Sequence, residues 1–238
     1  MTEKLYYTDM YGREFDASVV SAENGNIVLD RTLFYPTSGG QPNDTGILKY
    51  ENGEVRIVDV KQQDGEIIHI ADGPEMLKNG EKVHGIIDWE KRYIHMRYHT
   101  AVHIIDGVVN NDYSNGLLTG GQIYNDHARV DFSFDIIDKE LITEIISKAQ
   151  NIVNAGLRVF QREISRSEAL KIPGLSRTEP GRQLIEKLHV VRIIEIENFD
   201  YQADGGTHVA NTKEVGQIEM LKIENKGKGH KRLSFKLN

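Results

Sequence analysis

The chain has no cysteine among its 238 residues. That excludes disulfide staples and thiolate metal ligands together, and it fits a cytoplasmic protein. Positive charge is also in short supply. Lys and Arg number 29 against 36 Asp and Glu, a formal net charge of −7, which argues against a generally basic nucleic-acid coat and leaves room only for a local basic patch. No apolar run approaches the roughly 20 residues needed to cross a bilayer, so no membrane partner is expected. The N-terminus, "MTEKLYYTDMYG", lacks the basic start and apolar run of a signal peptide. Internal repeats and low-complexity tracts are missing as well. What remains is 39% hydrophobic and 27% charged residues, the composition of a folded globular chain with one large domain or two small ones.

Residues 1–88 read as strands. "EFDASVV" and "NIVLD" flank Glu23-Asn24-Gly25, "GILKY" and "VRIVDV" flank Asn52-Gly53, and "EIIHIA" follows Asp64-Gly65, with "KVHGIID" as a further strand. Asn-Gly and Asp-Gly pairs admit positive φ and tight reversals between β-rich runs. Many short strands joined this way predict a small barrel or sandwich.

The pattern changes at Trp89. "WEKRYIHMRYHTAVHIIDGVVNN" contains no proline, and Ile94, Tyr98, Ala101, Ile105 and Val108 recur at helical spacing, which predicts a long helix with a buried face. The domain boundary is therefore placed near Asp88, giving domains 1–88 and 89–238. Beyond the helix, "ARVDFSF" alternates as a strand. "DKELITEIISKAQNIVNAG" reads as a helix capped by Asp138 and ended near Gly156. Ser165 and Glu168 form a capping box for a short helix. "LRVFQREI" and "LHVVRIIEI" are strands, and "GQIEMLKIEN" with "HKRLSFKL" forms a closing hairpin. The second half is α+β.

Two short stretches carry donors. In "HTAVH", His99 and His103 are four apart, so a helix turns both imidazoles to one side. Nine histidines in this length give roughly 0.3 such pairs by chance. His95 and His99 offer the same spacing, and His95 and His103 lie about 12 Å apart along a helix axis, too far to share one ion. In "DGGTH", Asp204 and His208 enclose Gly205, Gly206 and Thr207, whose glycines permit a path that aims both side chains at one point. A glycine turn with Asp204 bonded to its own loop explains the same residues. Spacing does not establish that positions 103 and 204 meet. A zinc protease is disfavoured, because H-E-x-x-H needs a glutamate where this chain has Thr100.

The order H-x-x-x-H on a helix followed about a hundred residues later by x-G-G-T-H resembles the editing domain of alanyl-tRNA synthetases and, more closely, free-standing alanyl-tRNA editing proteins of the AlaX type. "FYPTSGGQPNDTG" at 34–46 resembles the glycine motif of that family's barrel. "TGGQIYNDHARVDF" at 119–132 resembles the segment after its metal-binding helix. "VVRIIEIENFDYQADGGTHVANTKEVG" at 190–216 resembles the strand and loop with its other ligands. One departure stands out: Asp204 replaces the family's usual cysteine, with the same charge and a harder donor.

The resemblance implies an α+β fold in which an N-terminal small β-barrel precedes an editing domain with a long metal-binding helix packed on an antiparallel sheet. It implies a trans-acting hydrolase that deacylates mischarged tRNA(Ala), chiefly seryl-tRNA(Ala) and also glycyl-tRNA(Ala). One zinc ion per chain, or another divalent metal given the aspartate, would sit on His99, His103, Asp204 and His208. Ser38, Gly39, Gly40 and Gln41 would face the substrate, with Thr119 and Gln122 as further pocket residues. Asp131 would orient a metal histidine if its strand face lines the site, although an exposed strand face is the plainer account of the same alternation. Arg177, Arg182, Lys187, Arg192 and the cluster Lys226, Lys228, Lys231 and Arg232 are candidates for tRNA phosphates by charge and position; a solvated hairpin turn is the plainer reading of the cluster. Contact would centre on the acceptor end, with no obligatory protein partner. With no aminoacylation domain in this pattern, the chain would not charge tRNA itself, and the lack of an extended helical region at its end disfavours the longer family members. The rivals are a non-catalytic tRNA-binding module and an editor of another aminoacyl-tRNA such as seryl-tRNA(Thr).

Overall fold

Asn24-Gly25 and Asp64-Gly65 are tight reversals, with φ of 53° and 79° in the first and 51° and 85° in the second. Two successive positive φ values make the type I′ turn, whose twist matches that of a hairpin. At Asn52-Gly53 only the glycine leaves the ordinary region, at φ 157°. These features belong to a computed structural model that describes every residue except 74–76, 114–115, 178 and 228; for 179 and 180 it describes the backbone alone. The chain divides into two units, Met1–His95 and Met96–Asn238.

The first unit begins with β1 (Glu3–Lys4), α1 (Leu5–Thr8), β2 (Glu14–Glu23), β3 (Asn26–Leu29) and β4 (Arg31–Thr32). It continues with β5 (Gly46–Tyr50), β6 (Gly53–Gln63), β7 (Glu66–Ala71) and β8 (Lys82–Ile87). Six of these strands close a barrel in the order β2-β3-β7-β6-β5-β8, the small barrel expected from the turn chemistry. Alternate residues point inward, so Phe15, Ala17, Val19, Ile27, Leu29, Leu48, Val55, Ile57, Ile67 and Val83 fill its interior. His69 is buried among them. Its Nδ1 lies 3.0 Å from the Ile27 carbonyl and its Nε2 2.8 Å from Thr32 Oγ1, so the neutral ring donates at Nδ1 and accepts at Nε2. Burial pushes its pKa down to about 4.

The 24-residue helix α2 (Trp89–Asp112) starts in the first unit and continues into the second. Every residue from Tyr98 to Val109 is buried. A helix buried all round is apolar unless its polar residues have partners, so His99, Thr100, His103 and Asp106 in this stretch ask for an explanation. Gly107 lets the helix approach closely: a Cβ there would lie 2.7 Å from the Phe199 ring.

The rest of the second unit comprises β9 (Leu118–Ile123), β10 (Ala128–Phe132), α3 (Lys139–Ala155), β11 (Val159–Ser165), α4 (Arg166–Ala169) and α5 (Glu179–Lys187). Then come β12 (Val190–Ile196), β13 (Asp200–Ala203), a 3-10 turn at Thr212–Val215, β14 (Ile218–Asn225) and β15 (Lys231–Leu237). Two antiparallel sheets form, ordered β14-β15-β10-β9 and β11-β12-β13. The α+β architecture predicted from the sequence is present. So are the predicted caps: Asp138 accepts from Leu141 N at 2.8 Å, Gly156 adopts φ 66°, and Ser165 and Glu168 form a reciprocal capping box.

Candidate metal centre

Helical periodicity carries His99 and His103 on one side of α2, and β13 delivers the D-G-G-T-H loop to the same place. One ligand atom each from His99, His103, Asp204 and His208 lies within 4.8 Å of the others. Asp204 Oδ1 is 3.5 Å from His99 Nε2 and 4.0 Å from His103 Nε2, and Oδ2 is 3.1 Å from His208 Nε2. The ring centroids are 4.3 to 5.2 Å apart. Tetrahedral zinc with donors near 2.0–2.2 Å needs donor–donor separations of about 3.4 Å. The residues fit such an ion with only small side-chain movements. His95 is not part of the group, so the register on the helix is His99 and His103.

Protonation states favour ligation. Burial lowers the pKa of His99; burial and then the neighbouring His208 hold His103 well below the usual range. His208 is pushed to about 4 by burial and the adjacent His99. Burial would raise the Asp204 carboxyl, but His99, His208 and His103 around it hold it well below the carboxylate range. Near neutral pH the cluster is three neutral imidazoles and one anion, the forms that bind a divalent ion without first losing protons.

The loop is braced from outside the donor set. Asp204 Oδ2 accepts from Gly206 N at 2.5 Å, an Asx-type turn. Buried Arg192 donates to the carbonyls of Asp204 at 3.1 Å and Gly206 at 2.7 Å. Thr100 Oγ1 lies 3.2 Å from His208 Nδ1 and accepts from Val209 N at 3.2 Å. Thr100 thus ties the last donor to the helix that carries the first two, a role the sequence did not suggest. Asp204 keeps 16% of its side chain accessible, and neighbouring Gly205 is exposed. The donors sit just beneath the surface.

Other expectations need correction. Asp131 does not orient a metal histidine. Its carboxylate accepts from Arg232 at 2.6 and 2.9 Å and from Arg129 at 3.1 Å, because the β10–β15 register sets Asp131 opposite Arg232. Val130, Phe132 and Phe134 occupy the buried face, as the alternation implied. Arg177, Arg192 and Lys231 are buried. Arg177 pairs with Asp106 and Asp200, and Lys231 Nζ donates to Asn225 Oδ1 and the Gly227 carbonyl. None of the three offers its charge to a phosphate at the surface. Arg232 is held by Asp131, and Lys226, though exposed, lies 2.8 Å from Glu224. Arg182 and Lys187 are exposed on α5. Lys228 lies outside the described residues.

Ser38 and Gln41 bracket a two-residue turn, with Ser38 N to Gln41 O at 3.1 Å and Gln41 N to Ser38 O at 2.9 Å. Gly39 and Gly40 have φ of 56° and 82°, which explains why both are glycine. Ser38 and Gly39 are exposed, whereas the Gln41 side chain is buried. On β9, Thr119 Oγ1 donates to the Asp131 carbonyl at 3.1 Å and Gln122 Nε2 to the Ile123 carbonyl at 3.2 Å.

Residues 2–91 match the family model of tRNA synthetases class II (A), and residues 191–234 match the threonyl and alanyl tRNA synthetase second additional domain. The alanyl-tRNA editing protein AlaX-M of Saccharolobus solfataricus is 43% identical over 99% of this chain and 98% of its own length. Its namesake in Methanosarcina barkeri is 41% identical over 100% of this chain and 99% of its own. The alanine–tRNA ligase of Pyrococcus furiosus is 38% identical over 98% of this chain, which corresponds to 26% of the ligase. End-to-end similarity at this level, on a barrel followed by a three-histidine, one-aspartate cluster, means that the chain belongs to the alanyl-tRNA editing proteins of the AlaX type.

Proposed function

We propose that this protein hydrolyses the aminoacyl ester of mischarged tRNA(Ala) in trans, with seryl-tRNA(Ala) as the chief substrate and glycyl-tRNA(Ala) as a second. The observation that carries the reading is the convergence of His99, His103, Asp204 and His208 beside an accessible loop. Zinc suits this donor set; Asp204 stands in for a thiolate with the same charge and makes the site harder. A divalent ion held there supplies polarisation of the ester carbonyl or activation of water.

The chain's own residues set the geometry. His99 and His103 hold their spacing through the helix, Thr100 orients His208, and Arg192 and the Asp204–Gly206 bond hold the loop. Water adds to the carbonyl carbon and the ester C–O bond breaks, releasing the free amino acid and the tRNA 3′ end. An aminoacyl ester is already labile, so orientation and charge stabilisation account for most of what is needed. Within this reading, residues 1–88 form the barrel domain with the Ser38–Gln41 turn, residues 89–238 form the editing domain, and Arg182 and Lys187, both exposed on α5, remain candidates for phosphate contact.

The test combines metal analysis with deacylation of seryl-tRNA(Ala). We expect bound divalent metal and hydrolysis in the native protein, and His103→Ala should lose both. Full activity in a metal-free His103→Ala protein would exclude the assignment. Hydrolysis of seryl-tRNA(Thr) in preference to seryl-tRNA(Ala) would move the substrate to the threonine system.

A further inference from the structure

The metal donors come in two pairs from two elements. His99 and His103 belong to α2; Asp204 and His208 follow β13. Besides the direct Thr100–His208 link, a buried group that belongs to neither element bridges the two. Arg177, on the segment between α4 and α5, reaches between them with its side chain only 6% exposed. Its Nη1 donates to Asp106 Oδ2 at 2.8 Å, and Asp106 lies less than one turn beyond His103. Its Nη2 donates to Asp200 Oδ1, on the strand that runs into Asp204. Both carboxylates are almost wholly buried. Asp200 is fixed further by Gln202 Nε2 at 2.8 Å. The segment that carries Arg177 is itself attached to the end of β13, because Ala203 N donates to the Leu175 carbonyl at 2.7 Å.

We infer that Arg177 is a positioning residue of the metal centre: its planar fork clamps Asp106 to Asp200 and so sets the separation of the two ligand pairs. A purely cohesive ion pair would be an expensive device here. Two charges in a low-dielectric interior gain little over apolar packing, whereas a fork with fixed geometry defines how two elements register. Without the cation, two buried carboxylates would face each other across the α2–β13 contact and push it apart. Arg192 complements this arrangement within the loop itself. It holds the loop's carbonyls in shape, while Arg177 holds the strand beneath the loop to the helix. The guanidinium bonds Asp106 and Asp200, neither of which is among the four donors, so it acts through the spacing of the donors.

The inference rests on the reading that the four donors bind metal, and the experiment separates the two. The Zn2+ dissociation constant of the full chain is measured by competition with a chromogenic chelator, and the visible spectrum of the Co2+-substituted protein reports coordination geometry. Both are recorded for the native protein, Arg177→Met and Arg177→Lys, with circular dichroism to establish folding. Folded Arg177→Met should bind Zn2+ about 10- to 100-fold more weakly, the usual effect of removing an outer support of a metal site, with an altered Co2+ spectrum. Arg177→Lys, which keeps the charge but loses the fork, should fall between. Native affinity and spectrum in folded Arg177→Met would overturn the inference. If Arg177→Met does not fold, Arg177→Lys decides: weakened binding supports the clamp, and native binding refutes it. A native protein that binds neither ion would overturn the metal reading itself, and the clamp with it.

Discussion

Thr100 Oγ1 stands 3.2 Å from His208 Nδ1 although 108 residues separate them. His208 Nε2 lies 3.1 Å from the Asp204 carboxylate, which can only accept, so the neutral ring donates there and Nδ1 accepts from the Thr100 hydroxyl. An ion held on Nε2 would move the proton to Nδ1 and make the hydroxyl the acceptor. In either state Thr100 fixes the ring plane. The same oxygen accepts the Val209 N–H.

Thr100→Val keeps the side-chain shape and removes the hydroxyl. Zn2+ affinity should fall about tenfold, and the buried Val209 N–H left without an acceptor should cost about 1–3 kcal/mol of stability. Thr100→Ser should stay close to native in both. Chelator competition and denaturant unfolding on the three proteins check this. Equal Zn2+ affinity in Thr100→Val would mean that His208 is oriented by something else.

Asp204 serves two ends: Oδ2 closes the turn on Gly206 N, and Oδ1 faces His99 and His103. Asp204→Asn keeps a turn-forming oxygen but removes the anion, so Zn2+ binding should weaken by at least tenfold while the fold is retained. Asp204→Cys restores the family's usual donor and should shift preference toward soft ions, measured as the Cd2+-to-Zn2+ affinity ratio. An unchanged ratio would place the carboxylate off the metal.

How much of this was legible depends on whether the determinant is local. The turns at Asn24-Gly25 and Asp64-Gly65, the Asp138 cap and the Ser165–Glu168 box are each decided within four residues, and each is present. His99 and His103 share a helix side by periodicity, but their meeting with Asp204 and His208 depended on motif resemblance, because helix and loop are about a hundred residues apart. The burial of Arg177 is hidden in the sequence for the same reason. A charge in the sequence suggests a surface, while the carboxylates that draw Arg177 inward are Asp106, 71 residues away, and Asp200, 23 residues away. Strand alternation gives the face that Asp131 occupies, but its partner Arg232 comes from the β15 register.

His69 predicts an acid-sensitive barrel. Its pKa is near 4 in the folded state, below the unfolded value of 6.5, because burial disfavours the charged ring. A folded state that resists protonation is fully stabilised above the unfolded value and loses stability as pH falls from about 6.5 to about 4, by about 3 kcal/mol in all. Denaturant unfolding of the native protein at pH 7 and pH 4.5, set against His69→Gln, checks this. The difference between the two proteins should shrink at the lower pH; a constant difference would sink the assignment.

Arg92 and Asp44 anchor the glycine-bearing loop to the start of α2. Arg92 Nε lies 3.0 Å from each Asp44 oxygen, Nη1 donates to the Met10 carbonyl at 3.1 Å and Nη2 to the Leu33 carbonyl at 2.5 Å, with no part of the side chain exposed. Asp44 in turn accepts from Tyr35 N at 2.6 Å, while its own N–H donates to the Tyr35 carbonyl at 2.9 Å. The stretch from 35 to 44, with Ser38 to Gln41 at its tip, is therefore closed at its base. Arg92→Met leaves a buried carboxylate unpaired and two carbonyls without donors, which should destabilise the barrel by about 3–5 kcal/mol. Arg92→Met with Asp44→Asn removes the stranded charge and should recover part of that loss. If the Ser38–Gln41 turn contributes to serine selectivity, the double variant should also show a lower ratio of seryl- to alanyl-tRNA hydrolysis at a temperature where it stays folded. A native ratio would separate the loop from substrate discrimination and leave Arg92 with a purely structural role.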